Sequence, residues 1–293
     1  MSFRYLQAIV VAGALAATAA LSACSSQDAD PFEEIPAFDV DPARVTLIDA
    51  GEGEKQVLSY AAEGAEQTTG IEVASGIYQG RVATDKVDPD APEPSYTDAQ
   101  ALQLEVTSNG ETTDVTAEGF RMRWSADPTG LITDVKLLPA DDSSDEDRER
   151  LERAMLQLLS TMPVFPREEV GEGASWTAQA RTTGQTSMQR TTTYTVTKID
   201  GSTVTLDLDI DEEPGRNEPS GGPAEDEQAD GADMQELNEE STTTTSQAEI
   251  TVDLTAPIPV AGQNAATTRV VYSGPNPEFK VVQDITTATR YGK

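Results

Sequence analysis

Histidine is absent from the 293 residues, and cysteine occurs once, at position 24. Without histidine there is no Ser-His or Cys-His nucleophile pair and none of the common zinc ligand sets. A single cysteine excludes an intramolecular disulfide, so the fold must be held by an ordinary core. Basic residues are scarce too: 20 Lys and Arg stand against 52 Asp and Glu, a net charge of -32. Such a surface repels nucleic-acid phosphates and anionic headgroups, so nucleic acid is not an expected partner. Neither a Walker-type glycine-rich loop nor a dinucleotide fingerprint occurs, which argues against nucleotide chemistry. A glycosidase-like carboxylate pair is not excluded, but among so many acids the sequence singles out none. The expectation is a protein that is not an enzyme and needs no cofactor or metal.

The chain has one long apolar run, at its start. Positions 7–20 are apolar and small, Arg4 precedes them, and Leu21-Ser22-Ala23-Cys24 follows. A basic residue, an apolar stretch too short to span a bilayer and a small-residue cleavage site make residues 1–23 a signal peptide. Leu21, Ser22, Ala23 and Cys24 resemble the bacterial lipobox. That resemblance implies cleavage before Cys24, a diacylglyceryl thioether on its sulfur, and a mature protein held on the outer face of the cytoplasmic membrane by its lipid. The wealth of Thr and Ala, with no His, is similar in composition to secreted proteins of high-GC actinobacteria.

Residues 24–42 carry three prolines and six acids after the cysteine without an apolar period. They read as a tether of roughly 20–25 Å or more, holding an acidic body away from an acidic leaflet. From 43 to 293 the patterning is that of a single β-rich domain. Val45 and Leu47 alternate, 57–60 and 71–78 are short apolar runs, and 102–106 alternates strictly. A Pro- and Asp-rich loop separates 78 from 102. Phe120, Met122 and Trp124 share one face of a strand, Asp127-Pro128-Thr129-Gly130 supplies turn chemistry, and Leu131 to Leu137 returns. Further strands are expected at 176–180, 191–199, 204–210, 248–254, 269–272 and 279–285, with Asp200-Gly201 turning one hairpin.

One helix is expected at about 145–160. Ser143 and Glu146 have capping-box spacing, and Leu151, Ala154, Met155, Leu158, Leu159 and Met162 recur at three and four residues. Pro163 ends it. The apolar stripe needs a sheet to bury it. The fold class is therefore mainly β (α+β): an antiparallel sandwich or half-barrel in two halves joined by this helix. Residues 212–241, rich in acids, Pro and Gly, read as a disordered acidic insertion in the second half.

Pro166-Arg167-Glu168-Glu169-Val170-Gly171-Glu172-Gly173-Ala174-Ser175-Trp176 resembles a Pro-x-x-x-Val-Gly-x-Gly-x-x-Trp motif of uncharacterised secreted bacterial lipoproteins. The likeness extends from the Gly119 hairpin through the helix to about Ile210, and the family it implies has no assigned activity. Asp207, Asp209 and Asp211 with Glu218 partly match a calcium loop. Glu212 stands where that loop needs Gly, and the alternation of Leu206, Leu208 and Ile210 already accounts for the spacing as a strand.

Two functions follow. The preferred one is a non-enzymatic, lipid-anchored envelope protein acting as a binding or interaction module for an envelope partner. The alternative is a carrier of lipid or glycolipid, because a curved antiparallel sheet closed by a helix resembles periplasmic lipoprotein carriers and mycobacterial glycolipid-binding lipoproteins. Under that alternative Phe120, Met122, Trp124, Met155, Leu158 and Leu159 are the candidate ligand-facing residues, between sheet and helix. Otherwise the same six side chains are simply core.

Overall fold

The computed structural model describes residues 30–182, 188–214 and 237–293. Cys24 with its lipobox and most of the acidic insertion lie outside these residues. The described chain is mostly strand, with a single α-helix. In order come β1 (Phe38–Asp39), β2 (Arg44–Asp49), β3 (Glu52–Val57), β4 (Glu66–Ala83), β5 (Gln100–Ser108), β6 (Thr112–Ala117), β7 (Phe120–Ala126) and β8 (Ile132–Leu138). Then come α1 (Asp145–Ser160), β9 (Glu169–Glu172), β10 (Ser175–Thr182), β11 (Met188–Asp200), β12 (Thr203–Pro214), β13 (Asn238–Asp253), β14 (Ala261–Ser273) and β15 (Phe279–Tyr291).

Thirteen of these strands form one antiparallel sheet, ordered β1-β8-β7-β6-β5-β4-β15-β14-β13-β12-β11-β10-β2, while β3 and β9 pair separately. The two sequence halves are thus not two sheets. The long strand β4 joins them by pairing with β15 from Ile71↔Tyr291 to Ala83↔Phe279. The sheet is also curled. Its N-terminal segment pairs with β8 through β1 and with β10 through β2, which are the strands at opposite ends. Only residues 40–43 separate the two pairings, and five Cα steps of about 3.8 Å span at most about 19 Å. The far ends of a thirteen-stranded sheet therefore lie within that distance of each other.

Alternation sets which face is inside. Leu102, Leu104 and Val106 of β5, Phe120, Met122 and Trp124 of β7, and Val204, Leu206 and Leu208 of β12 are all buried in one cluster with the stripe of α1. The helix packs against β4, β7 and β15. Its N-cap is Ser144, one residue later than expected, with the Ser144 hydroxyl accepting from the Asp147 N–H at 3.1 Å. Asp145, Glu146 and Asp147 fill the first turn, where the helix dipole favours negative charge. The helix body, Asp145–Ser160, coincides with the expected span.

The Val-Gly-x-Gly-x-x-Trp stretch is architectural. A Cβ on Gly171 would collide with the Glu52 carbonyl of the paired strand, and Gly173 sits at φ +79°, where a side chain is strained. Trp176 is fully buried, its Nε1–H donating to the Val164 carbonyl at 2.8 Å and its ring stacked on Tyr194 at 5.4 Å.

Two expected boundaries shift. The tether expected to run to 42 is already docked before that point: Phe32 is buried, its ring lies under the Arg123 guanidinium at 4.4 Å, and Arg123 bonds Asp30 at 2.6 Å. That hydrogen bond from Arg123 holds the Asp30 carboxyl below its usual range. The acidic insertion expected over 212–241 is shorter at both ends: Glu212 to Pro214 end β12 and Asn238 to Ser241 open β13.

Candidate functional site

Curling leaves a space that the helix does not fill. A cavity of about 520 Å³ lies between α1, the two ends of the sheet and the segment linking β1 to β2. Ile132, Val135 and Leu137 of β8 form one wall, and Ala178 and Ala180 of β10 with Tyr194 of β11 form the opposite one. Leu156 and Leu159 of α1 line it from the helix side. Phe38, Val40 and Ala43 line it from the N-terminal segment, and Phe38 is exposed. The volume falls within the roughly 300–1,000 Å³ of small-molecule sites.

Helix α1 thus has two working faces. Leu151, Ala154, Met155 and Leu158 are buried in the packed interior. Leu156 and Leu159, a quarter turn away, are only partly buried and border the cavity. Of the six candidate ligand-facing residues, Leu159 alone lines the cavity. Phe120, Met122, Met155 and Leu158 are solid core, at 1%, 0%, 0% and 0% exposure. Trp124 is also buried and borders a separate cleft of about 40 Å³ beside Tyr60, too small for anything but water. The reading of β7 as a pocket wall is therefore not what the fold provides: β7 faces the buried stripe of the helix, and the space lies beside the adjoining face of α1, at Leu156 and Leu159.

Polar groups line the cavity in two settings. Asp39, Asp41 and Arg181 are exposed, and Glu152 is half-buried. Arg190 and Thr192 of β11 are buried, at 4% and 5% exposure. Arg190 forms an interior ion pair with Glu212 of β12, its Nε and Nη2 each 2.7 Å from Oε1. The Glu212 Oε2 accepts from the Thr268 hydroxyl at 2.7 Å, and Arg190 Nη2 also donates to the Thr287 hydroxyl at 2.6 Å. Arg190 Nη1 is buried and has no hydrogen-bond partner. Burial pushes the Tyr194 phenol up to about 12, so it stays a neutral wall at any physiological pH.

The Arg190–Glu212 pair was not anticipated, although its signal is in the sequence. Arg190 has the same parity as Thr192, Tyr194 and Val196, and Glu212 the same as Leu206, Leu208 and Ile210, so both belong to inward faces. Asp207, Asp209 and Asp211 have the opposite parity and are exposed along a strand rather than around a loop. Among the described residues no three acidic side chains converge as a metal would need. Glu218 lies outside them. The arginines of β7 make structural contacts at one position: Arg123 forks onto Asp114 and Asp30. No family model matches the chain, nor does any curated protein or any solved structure.

Proposed function

We propose that the protein is a non-enzymatic carrier that takes an alkyl chain of a lipid or glycolipid into the cavity beside α1, and that it is held to the outer face of the membrane through Cys24. The observation that carries this reading is a cavity of about 520 Å³ with mainly apolar walls between helix and sheet. An interaction surface has less behind it. Among the described residues the exposed large apolar side chains, Phe38, Ile48, Val57, Ile77, Tyr78 and Phe279, are spread over five strands, and scattered apolar residues are ordinary on a protein surface.

Magnitudes fit a carrier rather than a permanent binder. Each buried methylene contributes about 0.8 kcal/mol, so a ten-carbon stretch gives about 8 kcal/mol before the cost of association, which is about 4 kcal/mol or more. The remainder, at most about 4 kcal/mol, corresponds to a millimolar or weaker, exchangeable complex.

Native mass spectrometry of protein purified from its own envelope tests the proposal. A lipid adduct is expected, and Leu159→Trp, which fills the space from the helix, is expected to remove it without lowering the melting temperature. A wild-type protein that carries no adduct and takes up no long-chain lipid from vesicles would refute it.

A further inference from the structure

Under the carrier reading, on which this inference rests, an alkyl chain must enter and leave, and the walls of the cavity differ in what it takes to part them. On one side β8 is held to β7 from Arg121↔Leu138 to Ala126↔Ile132, and on the other β10 is held to β11 from Ser175↔Thr195 to Thr182↔Met188. Parting either ladder breaks a run of backbone hydrogen bonds. Lifting α1 would bring Leu151, Met155 and Leu158 out of the core into water. The N-terminal segment is held far less. β1 pairs with β8 only at Phe38↔Val135 and Asp39↔Asp134, the Val40 N–H donates to the Thr133 carbonyl at 3.1 Å, and residues 40–43 belong to no strand.

Even that short pairing carries a conflict. Hydrogen-bonded and non-hydrogen-bonded pairs alternate along an antiparallel ladder, so the bond between Val40 and Thr133 makes Asp39 and Asp134 a non-hydrogen-bonded pair, the kind whose side chains come closest. Two carboxylates stand directly opposite each other there, and like charges so placed destabilise a strand pair. The Ser125 and Thr133 hydroxyls hold Asp134 in place, donating at 3.2 and 3.1 Å, while Lys136, the one base of β8, donates to the Phe32 carbonyl at 2.9 Å. Phe38, opposite the buried Val135, lines the cavity with 57% of its surface exposed. The segment is nonetheless fastened at both ends. Upstream it is fixed by the buried Phe32 and by the Arg123–Asp30 pair at 2.6 Å, and downstream by β2, which pairs with β10 from Arg44↔Gln179 to Asp49↔Ser175. A stretch fixed at its ends and weak between them can rise without coming away. We infer that this stretch is the portal of the cavity: Phe38 to Ala43 lifts off β8 to let an alkyl chain pass, and the opposition of Asp39 and Asp134 keeps the latch weak.

Uptake of a pyrene-labelled fatty alcohol from phosphatidylcholine vesicles follows the passage directly, and because the alcohol is uncharged, a change at Asp39 acts on the latch and not on the charge of the ligand. D39T removes the repulsion and is expected to slow uptake about threefold, and D39K, which sets a cation opposite Asp134, about tenfold. The amount bound at equilibrium is expected to stay the same, since the latch closes over an empty cavity and a filled one alike. The differences in rate are expected to shrink in about 1 M salt, where the screening length is about 3 Å. In D39C/D134C, whose Cα atoms at such a pair lie about 4.5 Å apart, oxidation is expected to stop uptake and reduction to restore it. Uptake as fast in the oxidised double variant as in the reduced one, rates in D39T and D39K equal to the wild type, or differences that salt leaves untouched would each overturn the portal while leaving the carrier reading in place. A changed amount bound with an unchanged rate would make Asp39 part of the binding wall and overturn the latch. A wild-type protein that takes up no alcohol and no other long-chain lipid would refute the carrier reading itself, and the inference with it.

Discussion

Replacing Arg190 with methionine while keeping Glu212 is expected to destabilise the protein by about 4 kcal/mol at pH 7 and by only about 1 kcal/mol at pH 5. Glu212 is 2% exposed, and without Arg190 its side chain keeps only the Thr268 hydroxyl as a partner. A lone buried carboxylate of this kind takes up a proton instead of staying charged. The cost is then that of protonating a glutamate that ionises near ~4.3 in water, at about 1.36 kcal/mol per pH unit. Over the 2.7 units up to pH 7 this comes to about 3.7 kcal/mol, and over the 0.7 units up to pH 5 to about 1 kcal/mol. The sign follows from proton uptake. In the variant the folded state holds a proton that the unfolded state has lost, so its stability rises as pH falls and the gap to the wild type narrows.

Glu212→Met is expected to behave differently. A guanidinium does not deprotonate, so Arg190 stays charged and the loss, about 3–5 kcal/mol, is the same at both pH values. The double variant is expected to be close to the wild type, because an apolar pair replaces an ion pair that had to be desolvated. Urea unfolding of the four proteins at pH 7 and pH 5 measures all of these terms against the wild type under the same conditions. Single losses that simply add in the double variant, or an Arg190→Met protein equally weak at both pH values, would refute the reasoning.

Two further predictions concern other parts of the chain. Cys24→Ala is expected to leave an unprocessed precursor or to release the protein into the medium, and a mature-sized product still attached to the membrane on fractionation would refute lipidation at that sulfur. Asp127 turns the hairpin beside the cavity. Burial raises its carboxyl, but hydrogen bonds from Thr129 and Leu131 and the nearby Arg167 outweigh this, so its ionisation lies below the usual carboxylate range. Asp127→Ala is expected to cost about 1–3 kcal/mol at pH 7. That difference persists down to the ordinary carboxylate value near ~3.9 and closes as pH falls through the lowered one, which acid-dependent melting curves will show.

Where one face of a strand is apolar and the other polar, the sequence was readable. Leu102-Leu104-Val106, Phe120-Met122-Trp124 and Leu206-Leu208-Ile210 are found on the inward face, and the helix stands where its three- and four-residue spacing puts it. The strands that were shortened or missed are those with no such contrast. Residues 241–247 are Ser, Thr and Gln, yet they lie within β13. On one face Thr243, Thr245 and Gln247 bond the loop that carries Pro89, Ala91 and Glu93. On the other, Thr244 joins the Thr268 and Glu212 network. With polar partners on both sides, alternation of hydrophobicity carries no signal. The cavity was illegible for a different reason. Its walls come from residues near 40, 135, 159, 180 and 192, brought together by sheet curvature, and curvature accumulates from many small strand rotations that no local pattern records.

The segment from Phe38 to Asp49 also bears on how the molecule avoids its own kind. Without β1 and β2 the remaining eleven-stranded sheet would offer β8 and β10, of seven and eight residues, as open templates for another chain. Here both are covered by one stretch of backbone, and what remains at the margins is a two-residue strand and a six-residue one carrying Arg44 and Asp49. Short, charged margins of this kind discourage strand-to-strand stacking between neighbouring molecules. With the proposed anchor at Cys24, copies sharing one surface would meet most often side by side, where that protection counts most.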